Sequence, residues 1–146
     1  MKVTSPELEV TSLIYATGHK LQVWVDPLGN RTSYAYDGSN RMKRVTSPKG
    51  EYTTFVYQTN QTVITDPRGQ VTTLLLTADG NSNLRALLDP VGVRTSFTWQ
   101  SNRLRSAQDG RGNRTTFTYF TMPTDSRKIL QYVKFPSGDQ YEFAFD

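Results

Sequence analysis

The sequence predicts an all-β fold: an array of antiparallel β-hairpins, about seven repeats of roughly 20 residues, curling into a spiral or partial shell. Three observations carry this. A turn of the type Asp-Pro-x-Gly recurs, beginning at Ser5, Asp26, Ser47, Asp66, Asp89, Asp109 and Phe135. Behind each turn a Thr, an aromatic or Leu, and a second aromatic fall on alternate positions. The fourth-position residues Leu8, Gly29, Gly50, Gly69, Gly92, Gly112 and Gly138 stand 21, 21, 19, 23, 20 and 26 residues apart.

Each turn column has a physical cause. At the first position the short polar side chains of Asp26, Asp66, Asp89 and Asp109, or Ser5 and Ser47, can accept nearby backbone N–H groups, and Phe135 departs from the pattern. Pro6, Pro27, Pro48, Pro67, Pro90 and Pro136 follow and preset φ, with Gly110 in their place once. The glycine at the fourth position suits a backbone with φ above zero that closes a tight reversal between antiparallel strands. The first and last copies are the least regular, as capping units would be.

After the turn the pattern has period two. Thr11, Thr32, Thr53, Thr72, Thr95, Thr115 and Tyr141 hold the seventh position. Leu13, Tyr34, Phe55, Leu74, Phe97, Phe117 and Phe143 hold the ninth, and Tyr15, Tyr36, Tyr57, Leu76, Trp99, Tyr119 and Phe145 the eleventh. All three columns point to one face of a strand, while Ser, Thr, Ala and Val between them face the other way. The aromatic face, Tyr34, Tyr36, Phe55, Tyr57, Phe97, Trp99, Phe117, Tyr119, Phe143 and Phe145, is expected to be the inside of the array.

A second strand follows in each unit, expected over 21–25, 41–46, 62–65, 84–88, 104–108 and 129–134, each reached through a loop such as Asp37-Gly38-Ser39-Asn40. The longest step between turns places a longer loop around Met122-Pro123-Thr124-Asp125. No window keeps a helical period, because Thr, Gly and Pro interrupt every one. About fourteen strands at ~4.8 Å would span roughly 65 Å, and open sheets rarely pass ~10 strands without curling, so the array is expected to curl and to leave terminal edges open to edge-to-edge self-association.

Composition sets the remaining limits. The 146 residues, 36% hydrophobic, suffice for a core and read as a single array over 1–146. No apolar run reaches the ~20 residues of a membrane span, and Met1 to Val10 lacks a signal-peptide pattern, so membrane insertion is not expected. The absence of cysteine excludes disulfides and thiol chemistry and leaves the compartment open. With 17 Lys and Arg against 13 Asp and Glu, the net charge of +4 favours a polyanion partner only modestly, since the basic residues are dispersed.

Tyr36-Asp37-Gly38-Ser39-Asn40-Arg41-Met42, followed by Val45-Thr46-Ser47-Pro48-Lys49-Gly50, and the run Asp109 to Tyr119 resemble RHS repeats, also called YD repeats. The Tyr-Asp pair itself stands only at Tyr36-Asp37, with Phe145-Asp146 as a variant. The resemblance implies the architecture of bacterial polymorphic and insecticidal toxins, wall-associated proteins and teneurins, in which such arrays wind into a hollow shell. It implies a secreted or cell-surface parent protein, and as partners further repeats of that parent or an enclosed polypeptide such as a toxin effector. Seven repeats are too few to close a container. The family's self-cleaving segment is not recognisable here, so that activity is not carried over.

Chemical readings have plainer rivals. His19 is the sole histidine, in the loop Ala16-Thr17-Gly18-His19-Lys20, with no Gly-x-Ser-x-Gly elbow in the chain, so a triad is not expected. The carboxylates of Asp26, Asp66, Asp89 and Asp109 could line a metal or form an acid–base pair, but each precedes a turn and has a local hydrogen-bonding role already. Gly110-Arg111-Gly112 lacks the rest of a nucleotide loop. The Asn-x-Thr triplets at Asn30, Asn60 and Asn113 are read as coincidence, two of them arising from the repeat consensus. No enzyme activity, cofactor or metal is expected. The alternative to a structural shell segment is an extracellular module that binds glycans or polyanions through aromatic and Arg columns.

Overall fold

Fourteen β-strands, with no helix among them, make up the described residues 2–4, 10–122 and 127–144 of a computed structural model. They are β1 (Lys2–Thr4), β2 (Val10–Ala16), β3 (Lys20–Val25), β4 (Arg31–Tyr36), β5 (Met42–Thr46), β6 (Tyr52–Gln58) and β7 (Gln61–Thr65). These are followed by β8 (Val71–Leu76), β9 (Leu84–Leu88), β10 (Arg94–Gln100), β11 (Arg103–Gln108), β12 (Arg114–Thr121), β13 (Lys128–Lys134) and β14 (Gln140–Glu142). Strand order equals chain order, without a crossover, in an open antiparallel sheet. The chain divides into two compact units, Met1–Tyr57 with Val63–Val71, and Gln58–Thr62 with Thr72–Asp146.

In the first unit the register alternates between two kinds of hairpin. Across the short loops, β2 and β3 share five residue pairs and β4 and β5 share four. Across the Asp-Pro-x-Gly-type turns, β3–β4 and β5–β6 share only three each before the strands part. The second unit repeats the scheme, with three pairs in β9–β10, β11–β12 and β13–β14 and four to six in the hairpins between them.

Five of the short-loop hairpins also carry a bulge at the same place. Tyr36 pairs with Met42 and Ala35 with Arg44, so Lys43 is left without a partner. Gln22, Arg85, Arg105 and Gln131 are the corresponding extra residues. A bulge of this kind bends and twists its strand. Here it recurs in both units at the start of the second strand, which parts the strands just where the pairing across the next turn gives out.

Directly opposed residues share a face, so the register explains the columns. The ninth-position side chain of one repeat, an apolar residue of the second strand and the seventh-position Thr of the next repeat form a row. Examples are Tyr34–Val45–Thr53 in the first unit, and Leu74–Leu87–Thr95 and Phe97–Ala107–Thr115 in the second. Large and small side chains therefore meet across the strands.

Burial on the aromatic face is partial. Tyr34, Tyr36, Phe55, Tyr57, Phe97, Trp99, Phe117 and Tyr119 are half-buried rather than buried. The buried positions among the described residues are Ala86, Ser106 and Val133. Val133 faces Phe117 and Tyr141 on the aromatic side. Ala86 lies opposite Leu75 and Ser96, and Ser106 opposite Thr98 and Thr116, which puts both on the small-residue side. Their size explains this, since short side chains in a sheet are covered by the longer ones flanking them.

The last copy differs as well. The aromatic strand expected to run to Phe145 ends at Glu142, and Phe143 is exposed, as is usual where a strand has one neighbour; β14 is followed by no second strand in the sheet order. Phe145 lies outside the described residues, as do Pro123, Thr124 and Asp125 of the expected long loop, whose flanks are joined by Met122 N–H donating to the Arg127 carbonyl at 2.7 Å. Second strands start within one residue of their expected places. At Gly110, where the other turns carry Pro, a Cβ would meet Val93 Cγ1 at 2.3 Å.

Candidate functional site

The recurring polar sites of the chain are its turns and the gaps beside them. At Asp26 the Gly29 N–H donates to the Asp26 carbonyl at 3.0 Å, and the Asp26 N–H to the Asn30 carbonyl at 3.0 Å. Gly29 has φ 84°. This is a type I turn closed by a left-handed residue, the usual three-residue hairpin loop. Gly50, Gly69, Gly92, Gly112 and Gly138 repeat both the bond and the sign of φ, as Asn40 does, at φ 65°, behind Asp37.

The carboxylates serve these turns. Asp109 Oδ1 accepts the Arg111 and Asn113 N–H groups, each at 2.9 Å, and Asp109 Oδ2 accepts from the Asn113 side-chain amide at 2.9 Å. Asp66 Oδ1 accepts from the Arg68 and Gln70 N–H groups at 2.8 Å, and Asp89 Oδ1 from those of Val91 and Val93 at 3.0 and 2.8 Å. Asp26 takes both the backbone and side-chain amides of Asn30 at 2.8 Å. Donors aimed at a carboxylate favour its ionised form. The side-chain amide of Asn30 holds the Asp26 carboxyl below the ordinary range, that of Asn113 does the same for Asp109, and the Thr77 hydroxyl for Asp79.

Sequence reasoning missed a second device. Where the strands part beyond an Asp-Pro-x-Gly-type turn, the eleventh-position aromatic bridges the gap. The Tyr36 hydroxyl donates to the Leu21 carbonyl at 2.9 Å, the Tyr57 hydroxyl to that of Met42 at 2.8 Å, and the Trp99 Nε1–H to that of Leu84 at 2.7 Å. Each acceptor is the residue just before the bulge. Leu76 has no side-chain donor, and its backbone N–H instead reaches the Asn60 carbonyl at 2.8 Å.

Cations cover two of the three bridging rings. Arg41 lies 4.4 Å from the Tyr57 ring centroid and Lys20 5.9 Å from that of Tyr36. Arg41 is itself fixed by Asp37, through Nε to Oδ2 and an ion pair from Nη2, both at 2.9 Å. Its backbone N–H is the leading reason the Asp37 carboxyl sits below the ordinary range. Neighbouring loops are also joined: the Lys20 ammonium donates to Asn40 Oδ1, and Asn83 Nδ2 to Asn102 Oδ1 at 2.9 Å. A sugar stacking on Tyr36 or Tyr57 would have to displace a cation already there.

Nothing in this arrangement assembles a reaction centre from the residues singled out. His19 is exposed with φ 60°. Asp109 and Asp139 line one groove of about 670 Å³, but Asp109 carries the turn bonds above and Asp139 Oδ2 accepts from the Ser137 hydroxyl at 2.7 Å. Among the described residues no three His, Cys, Asp or Glu side chains converge as metal ligands, and no helix is long and apolar enough to cross a membrane.

The model of the RHS repeat family matches residues 15–52, the stretch containing Tyr36-Asp37, the Asp26 turn, the Lys20–Tyr36 contact and the Asp37–Arg41 ion pair. No curated protein matches the chain.

Proposed function

We propose that this RHS-repeat protein is a wall segment, which encloses, shields or presents another polypeptide, such as a toxin effector, outside the cell in the manner usual for the family. The observation that supports this reading most is where the polar side chains go. Turn carboxylates, bridging hydroxyls and ring-covering cations are all used inside the array, to hold one strand against the next. A chain whose chemistry is committed in this way acts through its shape and its faces, and on this reading it performs no catalysis. The covered rings of Tyr36 and Tyr57 weigh against glycan stacking as the principal role.

Photo-crosslinking tests the proposal. Phe55 and Val56 are adjacent on β6 and point to opposite faces, Phe55 half-buried and Val56 50% exposed. A benzophenone amino acid at position 55, in the parent protein in its native host, is expected to capture a polypeptide, and one at position 56 is not. Equal capture from both faces, or none from either, contradicts the enclosing role.

A further inference from the structure

The gap between β11 and β12 is built like those that Tyr36, Tyr57 and Trp99 close, yet it is left open. These strands share three pairs, Ser106 with Thr116, Ala107 with Thr115 and Gln108 with Arg114, and then part. Tyr119 holds the bridging position on β12, 15 residues after Leu104, as Tyr36, Tyr57 and Trp99 stand 15 residues after their acceptors. No Tyr119–Leu104 bond is among those the described residues form. A cleft of about 40 Å³ occupies the gap, lined by Gln100, Arg103, Arg105, Tyr119 and Lys128.

No ion pair among the described residues neutralises the charge in this cleft. Arg103 stands 16 residues before Tyr119, as Arg41 stands before Tyr57. Arg41 is neutralised by Asp37. The loop leading to Arg103 is the tight turn Gln100-Ser101-Asn102-Arg103, with φ 49° at Ser101 and 59° at Asn102, and it holds no carboxylate. Among the described residues the Arg103 guanidinium donates from Nη1 to the Ser101 carbonyl alone, at 3.3 Å. Arg105 is the half-buried bulge residue of β11, and Lys128 enters from the start of β13. Three like charges lining one small cleft repel each other, and no carboxylate of the described residues lines it with them.

We infer that this cleft binds a tetrahedral oxyanion group, a sulfate or a phosphate. Arg103, Arg105 and Lys128 supply charge-assisted hydrogen bonds, and the Tyr119 hydroxyl supplies a neutral donor. The cleft is small, so it holds one such end group and leaves any sugar or other carrier outside. The inference is independent of the wall role.

Backbone and arginine side-chain NMR signals, followed while the folded protein is titrated at constant ionic strength, test it. The probes are sodium sulfate, sodium phosphate and a monosulfated disaccharide, with sodium chloride as the balancing salt. Saturable shifts confined to residues 100–105, 119 and 128 are expected with at least one probe. Saturation by the free ions assigns the site to the oxyanion itself, and saturation by the disaccharide alone assigns it to a sugar ester. Arg105→Gln and Lys128→Gln, on separate strands, are each expected to weaken binding about tenfold, while Arg94→Gln outside the cleft leaves it unchanged. Circular dichroism shows whether each variant folds, and one folded variant suffices. Non-saturating shifts with all three probes, or affinities that neither variant lowers, overturn the inference.

Discussion

The Tyr57 hydroxyl donates to the Met42 carbonyl at 2.8 Å, from the strand after the Ser47 turn to the strand before it. That bond spans the place where the backbone ladder of β5 and β6 has ended. Tyr57→Phe is therefore expected to destabilise the protein by about 1–2 kcal/mol, because it leaves a part-buried carbonyl without its donor. Tyr34→Phe, at a half-buried tyrosine outside any bridge, is expected to change stability by less than about 0.5 kcal/mol. Urea unfolding of the two variants checks the contrast.

Two glycines near each other in sequence are expected to behave oppositely. Gly29 has φ 84°, where a Cβ is strained even though nothing lies within 4 Å of it, so Gly29→Ala is expected to cost about 1–2 kcal/mol. Gly38 lacks a positive φ and is equally uncrowded, so Gly38→Ala is expected to be neutral or to stabilise by up to about 1 kcal/mol. Thermal melts of both variants settle the sign.

The Ser47 turn lacks the carboxylate its neighbours use. Its backbone bonds are present, Gly50 N–H to the Ser47 carbonyl at 3.0 Å and Ser47 N–H to the Glu51 carbonyl at 2.7 Å, but Ser47 Oγ is buried without a partner. An asparagine reaches the same N–H groups as Asp26 does and presents its amide to Glu51 instead of a second negative charge. Ser47→Asn is expected to raise stability by about 0.5–1.5 kcal/mol, measured as the shift in the urea midpoint.

The turn carboxylates make stability depend on acid. Asp26, Asp37, Asp79 and Asp109 all sit below the ordinary carboxyl range in the folded chain. A depressed folded-state value means the stabilisation is complete above the unfolded value, about pH 4, and is lost as pH falls through the folded ones. The melting temperature is expected to change little on this account between about pH 7 and 5 and to drop below about pH 4. Asp109→Asn is expected to be less stable at neutral pH and to show a shallower drop, because one contributing carboxylate is gone.

Much of this was legible in the chain, and the illegible part has a common cause. The left-handed turn positions could be read at Gly29 and its column, because few residues tolerate them, whereas those at His19, Asn40, Ser82 and Ser101 carry residues that leave no such mark. The hairpin order could be read because the turn type joins neighbours. The Tyr57–Met42 bridge could not, because its acceptor is a backbone carbonyl that leaves no mark on residue identity. The bulges at Gln22, Lys43, Arg85, Arg105 and Gln131 are set by how strands pair, and only the recurring long polar side chain after Leu or Met hinted at them. Burial of Ala86 and Ser106 over the aromatics likewise depends on neighbours across the sheet.

The central claim is that the turn carboxylates and bridging side chains of the repeat hold the array. Hydrogen exchange of single amides, followed by NMR, tests it most directly at the exposed turns. The amides of Asn30, Gln70, Val93 and Asn113, each donated to a turn carboxylate, are expected to exchange far more slowly than an unstructured chain, and Asp109→Asn is expected to speed exchange at Asn113. Exchange of these four amides at the unstructured rate would contradict the claim.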